Sequence, residues 1–453
     1  MEGRKRNGFT SRIGFVLAAA SSAVGLGNMW RFPYLAARYG GGMFVLTYVV
    51  LAVTFGFVML IAEIGIGRMT RLSSVAAFRK LDRRFSFCGI LGLLIPALIT
   101  PYYSVIGGWV TKYIMVFAAG QNTAAAEDSY FGAFISRGAE PIVYLTVFIV
   151  LAAVVVLAGV EKGIEKASTF LMPVLLFLSI GIVIYIASRP GAGDGIRYYL
   201  KPDFSEFSGK TVLAAIGQLF YSLSLAMGIM ITYGSYMRRS DRLETSVLQI
   251  EFFDSFVAIL AGMMIVPAVY IFSGGDDRAM NAGAGLMFIT LPKVFASFKG
   301  GRIVGLAFFI LVFFAALTSA ISLLEAVVSN IMDVSGMSRK LTTVLVTVWC
   351  IILGIPSSLG FGPLSGVHLL GMDILDFMDF LTNTVMMPVL AFATCIFVGF
   401  VLKPQKLIRE AEAEGAAFHA KHFFSFMIKW IAPIGIVAIM ASFIASSFGW
   451  LKW

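Results

Sequence analysis

Uninterrupted apolar runs of about twenty residues, the length of a membrane-spanning helix, recur along this chain from end to end. In the hydrocarbon layer only helices and closed barrels satisfy their backbone hydrogen bonds. Hydrophobic residues make up 59% of the 453 residues, and charged residues only 13%. A water-soluble core could not bury so much apolar material. We therefore predict an all-α polytopic membrane protein.

Eleven membrane spans are predicted from the apolar runs. The basic N-terminal segment resembles the start of a signal peptide, but no small-residue cleavage pattern follows it, so we keep it as structure. Basic residues cluster in alternate loops, which indicates a cytoplasmic N-terminus, an external C-terminus and insertion in the cytoplasmic membrane. The spans lie near 13–36, 42–68, 88–118, 141–159, 167–188, 211–237, 246–272, 303–333, 341–356, 373–402 and 425–448.

Two spans carry small and polar residues at their centres. The first contains "SSAVGLGNMWRFP" and the sixth contains "GQLFYSLSLAMGIMITYG". Small residues also let membrane helices pack closely. Two interruptions five spans apart nevertheless favour inverted five-helix repeats whose broken helices build a transporter's binding site. We place repeat one at about 9–188 and repeat two at about 211–402 of a core spanning 1–402, with a cytoplasmic loop and the eleventh helix in 403–453.

The interrupted spans supply a particular set of polar groups. Unwound backbone must be satisfied by something bound. Carbonyl, amide and hydroxyl oxygens suit a hard cation, and the N-termini of half-helices suit a carboxylate. An amino acid accompanied by sodium would satisfy both. The side-chain oxygens available in mid-membrane are those of Asn28, Ser222, Ser224, Thr318 and Ser319.

Other classes of function find little support in the sequence. Cys88, Cys350 and Cys395 stand on apolar segments without ligand spacing, which is typical of inert core thiols. The three histidines offer no metal spacing either. Because hydrolytic triads, phosphate loops and zinc motifs are missing, we expect neither an enzyme nor an organic cofactor. The net charge of +10 is spread over alternate loops, so it does not indicate nucleic-acid binding.

Four stretches resemble the neurotransmitter:sodium symporter family. "RIGFVLAAASSAVGLGNMWRFPYLAARYGGG" and the sixth-span stretch are similar to its first and sixth helices, "FFAALTSAISLLEAV" to its eighth and "ILDFMDF" to its tenth. The similarity runs from about Phe9 to about Leu402. It implies the LeuT-type fold, from which the broken-helix rule used above was itself drawn, and two bound sodium ions. Stopping after eleven spans is similar to some bacterial members, which transport amino acids.

The resemblance implies a detailed site. Sodium 1 would be held by the Ala23 carbonyl, Asn28, Ser222 and Asp254. Sodium 2 would be held by the carbonyls of Ser21, Val24 and Ala315 and the hydroxyls of Thr318 and Ser319. The residues implied for the substrate are Ala23, Gly25, Leu26, Gly27, Ile99, Tyr103, Tyr221, Ser222, Ser224, Met227, Ser319 and Leu323.

Gates are implied in the same way, on both sides of this site. Opposite charges would close the outer path above a pair of tyrosines, and a second ion pair would latch the cytoplasmic end. The residues are Arg31 with Asp379 as the outer pair, Tyr103 with Tyr221 as the lid, Arg6 with Asp333 as the latch, and Gly163 with Pro173 as the helix-five motif for local unwinding.

The sequence departs from the family's pattern at a few positions. Ala226 stands where many amino-acid carriers have glycine, and its methyl group is expected to narrow the break in helix six. Asp254 stands where asparagine is common, and its negative charge predicts transport without chloride. Phe9 replaces a more frequent tryptophan. We interpret Glu63 as a structural carboxylate that bridges the broken helices.

The leading interpretation is a sodium-coupled symporter that imports a neutral, hydrophobic L-amino acid by alternating access. Gly25 stands where monoamine carriers have an aspartate, so the substrate has to bring its own carboxylate. The alternative is a proton-coupled carrier of the same architecture, in which Asp254 or Glu63 titrates; a non-transporting sensor or a channel is a further possibility. The expected partners are the amino acid and the bilayer, and a monomer would suffice, although the sequence leaves the oligomeric state open.

Overall fold

Long apolar helices follow one another through the part of the chain that the computed structural model describes, residues 8–275 and 283–447. Among the described residues, nine single helices are long and apolar enough to cross a membrane, and a pair bent by 55° makes a tenth span. We label the helices α1a (Arg12–Ala23), α1b (Gly27–Arg38), α2 (Gly42–Thr70), α3 (Arg83–Ala118), α4 (Ala139–Leu157), α5 (Val160–Ala187), α6a (Gly209–Ser222), α6b (Ile229–Tyr236), α7 (Leu243–Phe272), α8 (Gly301–Ser335), α9 (Arg339–Leu359), α10 (Ile374–Leu402) and α11 (Lys421–Ser442).

The first and sixth spans are both broken, as predicted. Residues 24–26 separate α1a from α1b, and residues 223–228 separate α6a from α6b. With 14 and 8 residues, neither half of the sixth span is long enough to cross a membrane alone. The all-α polytopic architecture is therefore confirmed, with all eleven expected spans present as a helix or a helix pair.

Glycines allow the helices at the centre to approach closely. A methyl group added to Gly67 of α2 would strike the Ile231 carbonyl of α6b, and one added to Gly234 of α6b would strike the Ile64 carbonyl of α2. Small residues at such crossings are the usual means of packing helices in a membrane. This contact fixes α6b against α2, directly below the break in α6.

Short helices cover the ends of the bundle. Ser74–Leu81 and Pro404–Ala411 lie at the end that we expect to face the cytoplasm, and Ala192–Leu200 and Leu286–Ser297 lie at the other. Between α7 and α8, residues 276–282 lie outside the described part, and the described residues contain the helix Leu286–Ser297.

The remaining predictions on the fold concern the cysteines and the charged loop. Cys88, Cys350 and Cys395 are buried and free, as expected for core thiols. The loop after α10 contains the helix Pro404–Ala411, whose buried face includes Leu407. The C-terminal segment 448–453, expected outside the membrane, is outside the described residues.

Candidate functional site

Side chains satisfy the free backbone groups at the break in the first span. Val24 ends α1a with extended backbone angles. The next two amides are bonded by side chains: Gly25 N donates to Asn28 Oδ1 at 3.1 Å, and Leu26 N donates to the Tyr103 hydroxyl at 3.4 Å. Because Gly25 has no side chain, Ser319 approaches it so closely that an added methyl group would lie 2.7 Å from Ser319 Oγ.

The break in the sixth span has left-handed backbone. Ser224, Ala226 and Gly228 have φ angles of 52°, 55° and 68°. Only glycine adopts such angles without cost, and alanine pays about 1–2 kcal/mol. Ala226 N donates to Glu63 Oε1 at 2.7 Å, so Glu63 of α2 reaches the broken helix as the sequence indicated. The methyl group of Ala226 does not line the central cavity described below.

Four side chains from different helices form what we call the Asp254 cluster: Asn28, Ser222, Asp254 and Tyr48. Asn28 Nδ2 donates to Asp254 Oδ1 at 2.8 Å, and Ser222 Oγ lies 2.8 and 2.9 Å from the two carboxylate oxygens. The Tyr48 hydroxyl donates to Asp254 Oδ2 at 2.8 Å. The structure thus brings together the three side chains implied for sodium 1 and adds Tyr48.

Tyr48 was missed by the sequence analysis for a simple reason. It is a single tyrosine within an apolar span, and neither its spacing nor its neighbours distinguish it from a core residue. Gln218 was missed likewise. Its Nε2 donates at 3.1 Å to the carbonyl of Gly27, at the start of α1b.

The carboxyl of Asp254 is surrounded by neutral polar side chains. Its side chain is fully buried. Hydrogen bonds from Asn28, Ser222 and Tyr48 reach the carboxylate, but no lysine, arginine or histidine of the described chain pairs with it. A buried carboxylate is normally paired with a cation or protonated. A hard cation surrounded by oxygen ligands fits this cluster.

A second set of oxygens joins α8 to the break in α1. Thr318 Oγ1 donates to the carbonyl of Ala315 at 3.1 Å, and Ser319 Oγ donates to that of Val24 at 3.3 Å. Ser21 Oγ donates to Ser168 Oγ of α5 at 2.9 Å. The residues implied for sodium 2 therefore lie where α1a, α5 and α8 meet, and their role as ligands stays a prediction.

A small central cavity lies between the two breaks. Its volume is about 30 Å³, close to that of one water molecule, so its walls must separate to admit an amino acid. Every residue implied for the substrate lines it except Ser222, which lies in the Asp254 cluster. Ser22 and Ile229 also line it and were not predicted from the sequence. The cavity is lined by Ser22, Ala23, Gly25, Leu26, Gly27, Asn28, Ile99, Tyr103, Tyr221, Ser224, Met227, Ile229, Ser319 and Leu323.

A vestibule of about 550 Å³ opens above the central cavity. Tyr221 lines both spaces and separates them. Arg31 and Asp379 both line the vestibule without forming a direct ion pair: the Arg31 guanidinium lies 5.6 Å from the centre of the Tyr221 ring, and Asp379 Oδ1 accepts a hydrogen bond from Asn383 at 2.6 Å. Their gating role stays a prediction.

Aromatic rings close the opposite end of the site. Phe9 is buried against Phe15, Tyr233 and Tyr236, with ring centres 5.5 to 6.2 Å apart. Asp333 accepts hydrogen bonds from both the amide and the hydroxyl of Ser73, each at 2.8 Å. Arg6, the expected partner of Asp333, lies outside the described residues.

The first turns of α5 are helical in this structure, and Glu165 in these turns bonds the residues just before α1a. These first turns, Val160–Glu165, are wide π turns that contain Gly163, and Pro173 follows inside the helix. Glu165 accepts from Thr10 N at 2.8 Å, from Thr10 Oγ1 at 2.7 Å and from Ser11 Oγ at 3.1 Å. The sequence showed no reason to connect Glu165 with the first helix.

The fold and the site define a class of protein. Two broken helices meet at a buried cavity between a vestibule and a cluster of aromatic rings, and beside the breaks lies a buried carboxyl with no cationic partner among the described residues. This is the construction of a secondary transporter that binds its solutes near the middle of the membrane.

Comparisons with known proteins agree. The profile of the sodium:neurotransmitter symporter family matches residues 6–124 and 133–449. The uncharacterized sodium-dependent transporter YhdH of Bacillus subtilis (strain 168) is 34% identical, with 96% of this chain and 97% of that protein aligned. An uncharacterized sodium-dependent transporter of Haemophilus influenzae is 33% identical over 97% and 98% of the two chains.

A solved structure extends the likeness to three dimensions. The crystal structure of MhsT in complex with L-phenylalanine superposes with a TM-score of 0.86 at 37% identity, covering 96% of this chain and 99% of that one. The chain belongs to the sodium:neurotransmitter symporter family. It is a sodium-dependent transporter of the LeuT-type fold and an integral membrane protein, not an enzyme.

Proposed function

We propose that this transporter is a symporter that couples sodium to the import of a neutral, hydrophobic L-amino acid, by alternating access and without chloride. The Asp254 cluster carries the proposal, because it holds a buried carboxylate with oxygen ligands around it and no cationic side chain. The names of the relatives give sodium as the ion. The solute in the MhsT structure is L-phenylalanine.

A sodium ion in the Asp254 cluster would join three elements. Asn28 belongs to α1b, Ser222 ends α6a and Asp254 lies in α7. Binding would therefore stabilise the two breaks in one relative position, which is the position that forms the cavity. The substrate's carboxylate would then lie near Gly25 and the Leu26 amide, where the Tyr103 hydroxyl is already within 3.4 Å. Sodium and amino acid would favour each other's binding for this reason.

The substrate class follows from the cavity's walls. Ile99, Met227, Ile229 and Leu323 are apolar and buried, and the cavity contains no charged side chain. Burying a charged substrate side chain there would be costly. We infer an aliphatic or aromatic amino acid and exclude lysine, glutamate and decarboxylated amines as good substrates.

Further proposals complete this function. We place the protein in the cytoplasmic membrane, with the N-terminus inside and the C-terminus outside. Repeats 9–188 and 211–402 would form the moving core 1–402, with 403–453 as an appended loop and helix. Two sodium ions, no organic cofactor and a single chain would suffice, and nucleic acid has no role.

The function is tested by uptake into proteoliposomes containing the purified protein. L-phenylalanine and L-leucine should accumulate when sodium is outside, and choline in place of sodium at the same pH should abolish uptake. Tyramine, lysine and glutamate should not compete. Uptake driven equally well by a proton gradient without sodium would contradict the proposal and establish the proton-coupled alternative.

The second sodium site has its own test. Replacing Thr318 and Ser319 together with alanine removes two adjacent hydroxyls of α8, of which that of Ser319 bonds the Val24 carbonyl, so sodium-dependent substrate binding should be lost while the protein stays folded. Ser179 and Thr347 provide a matched control, because each hydroxyl bonds only to the carbonyl four residues earlier in its own helix. Unchanged sodium affinity in the Thr318 and Ser319 double variant would remove this site from the proposal.

A further inference from the structure

Helix α7 carries a second buried carboxyl that the Asp254 cluster does not use. Glu251 precedes Asp254 by three residues, so the two side chains lie on the same face of the helix. Glu251 is 2% exposed, and neither oxygen of its carboxyl has a hydrogen-bond partner in the described chain. It is not bonded to any member of the Asp254 cluster.

Apolar residues lie beside this carboxyl, and a glycine leaves room for it because glycine has no side chain. Gly56 ends the wide turns Ala52–Gly56 of α2. A methyl group on Gly56 would lie 3.1 Å from Glu251 Oε1, 2.6 Å from Leu223 and 3.3 Å from Leu219. Gly56 and these two leucines therefore offer the carboxyl neither a donor nor a counter-charge.

Two titratable groups face Glu251. Asp254 acts on it through its charge from the same helix, and Tyr48 faces it from α2. Leu219 and Leu223 of the sixth span, which lie beside Gly56, cannot ionise. No cationic side chain of the described chain compensates a negative charge at Glu251.

The surroundings of Glu251 favour a proton over a metal ion as its ligand. A carboxylate buried without hydrogen bonds or a counter-ion is strongly destabilised, whereas the protonated acid is tolerated. A metal ion would need several converging ligands, and no group of three or more acidic, histidine or cysteine side chains suited to a metal occurs among the described residues. A proton needs only the carboxyl itself.

We propose that Glu251 is a proton-binding site coupled to the Asp254 cluster, and that its proton is released to water as sodium binds. The proposal rests on the proposed function, because it takes Asp254 as a sodium ligand. A sodium ion cancels the negative charge of Asp254, which otherwise opposes ionisation of Glu251. Coupling is reciprocal, so loss of the proton adds negative charge beside the cluster and strengthens sodium binding.

The sign of the pH dependence follows. At low pH Glu251 holds its proton and sodium binds less tightly; at high pH the proton is lost and sodium binds more tightly. Coupling between sites commonly amounts to about 5- to 150-fold. We expect the sodium affinity of the wild-type protein to rise by about fivefold or more from about pH 6 to about pH 8.5.

The experiment uses the full-length protein in lipid nanodiscs and needs no substrate. Binding of radioactive sodium is measured at both pH values, and a pH-sensitive dye in weak buffer records protons released when sodium chloride is added, with choline chloride as the reference. Glu251→Gln copies the shape of the protonated acid. It should bind sodium with less dependence on pH and release fewer protons.

Glu244→Gln is the matched control. Glu244 lies on the same helix but bonds His419 and Ala420 at the end of the bundle, so this variant should behave as the wild type. If Glu251→Gln does not fold, Glu251→Leu, which suits the leucine walls, is measured with the same expectation. A variant at Glu251 that keeps the wild-type pH dependence and proton release overturns the proposal.

The two proposals fail in different ways. A wild-type protein that binds no sodium at either pH contradicts the proposed function. A wild-type protein that binds sodium with equal affinity at both pH values and releases no proton contradicts only the role of Glu251.

Discussion

At the scale of single residues, the site depends on two positions that tolerate little substitution. One is the missing side chain at Gly25, which brings Ser319 and Tyr103 against the backbone of the first break. The other is the buried carboxyl of Asp254, which three neutral side chains bond and no cationic side chain of the described residues pairs. Steric fit and charge can be altered independently here, so each supports a separate prediction.

Replacing Gly25 with alanine should weaken amino-acid binding. The new methyl group would lie 2.7 Å from Ser319 Oγ and 3.3 Å from the Tyr103 hydroxyl. Overpacking of this kind costs about 1–3 kcal/mol, which corresponds to a loss of roughly 5- to 150-fold in affinity. Equilibrium binding of labelled L-phenylalanine measures it. Gly181→Ala is the control, because no atom lies within 4 Å of a methyl group added there; equal affinities in the two variants would show that Gly25 does not shape the site.

Replacing Asp254 with asparagine should make transport depend on chloride. The wild-type protein carries a fixed negative charge beside the proposed sodium, so uptake should be the same in chloride and in gluconate. The neutral amide leaves the sodium's charge uncompensated, and uptake by the variant should be weak in gluconate and partly restored by chloride. Initial uptake rates in the two salts give the answer. A wild-type protein that stops working in gluconate would show that Asp254 is not the built-in anion.

At the scale of helices, the two broken spans are held by side chains from a neighbouring helix and from each other. Glu63 of α2 bonds the amide of Ala226, and Gln218 of α6a bonds the carbonyl of Gly27. At its beginning, α1a is held by Glu165 of α5. Because Glu165 belongs to the wide turns that also contain Gly163, any unwinding of those turns would remove the bonds that fix α1a. We therefore predict that unwinding of helix five, if it occurs, releases the first helix.

Replacing Glu165 with alanine should loosen the first turn of α1a. Three hydrogen bonds to a carboxylate are lost, and one such bond contributes about 1.5–3 kcal/mol. Amide hydrogen exchange in residues 10–18, followed by mass spectrometry, should accelerate by about tenfold or more. Glu161→Ala is the control, since Glu161 lies in the same turns but is exposed. Equal exchange in both variants would mean that Glu165 does not hold the helix.

At the scale of the whole molecule, the site lies between one open and one closed path. The vestibule of about 550 Å³ reaches Tyr221 from one side, and the rings around Phe9 fill the other. Arg31 and Asp379 stand in the vestibule without a direct ion pair, and we predict that closing this side brings them together. Opposite charges brought to about 4 Å attract by about 1–4 kcal/mol, depending on screening, which is enough to bias a gate.

Neutralising Asp379 should therefore slow transport more than it weakens sodium binding. Asp379→Asn keeps the size of the side chain and removes the attraction to Arg31, so closure of the vestibule becomes rarer. Uptake into proteoliposomes and binding of radioactive sodium are compared on the same preparation. Asp194→Asn, an exposed change on the helix Ala192–Leu200, serves as the control. Transport at the wild-type rate in Asp379→Asn would show that Arg31 and Asp379 do not gate the vestibule and only anchor the protein in the membrane interface.

The sequence by itself determined the class of the protein and the location of its site. Apolar runs require membrane helices because unpaired backbone is costly in lipid, and polar residues in mid-span are rare enough to mark the two breaks. The polar interruptions and the family resemblance identified candidate ligands, because each belongs to a distinctive stretch of sequence. These residues are Asn28, Ser222, Asp254 and Ser319. These signals are local along the chain, and so they survive without a structure.

Only the tertiary structure decided which side chains complete that site. Tyr48 and Asp254 are 206 residues apart, and Thr10 and Glu165 are 155 apart. Each is one polar residue among many in its stretch, and nothing in its neighbourhood along the chain distinguishes a bonded residue from an isolated one. The sequence likewise cannot show that Glu251 is unpartnered, because this follows from the glycine of α2 and the leucines of the sixth span that pack against it. Hydrogen bonds and burial between distant helices are set by how the helices pack, and packing is a property of the folded chain.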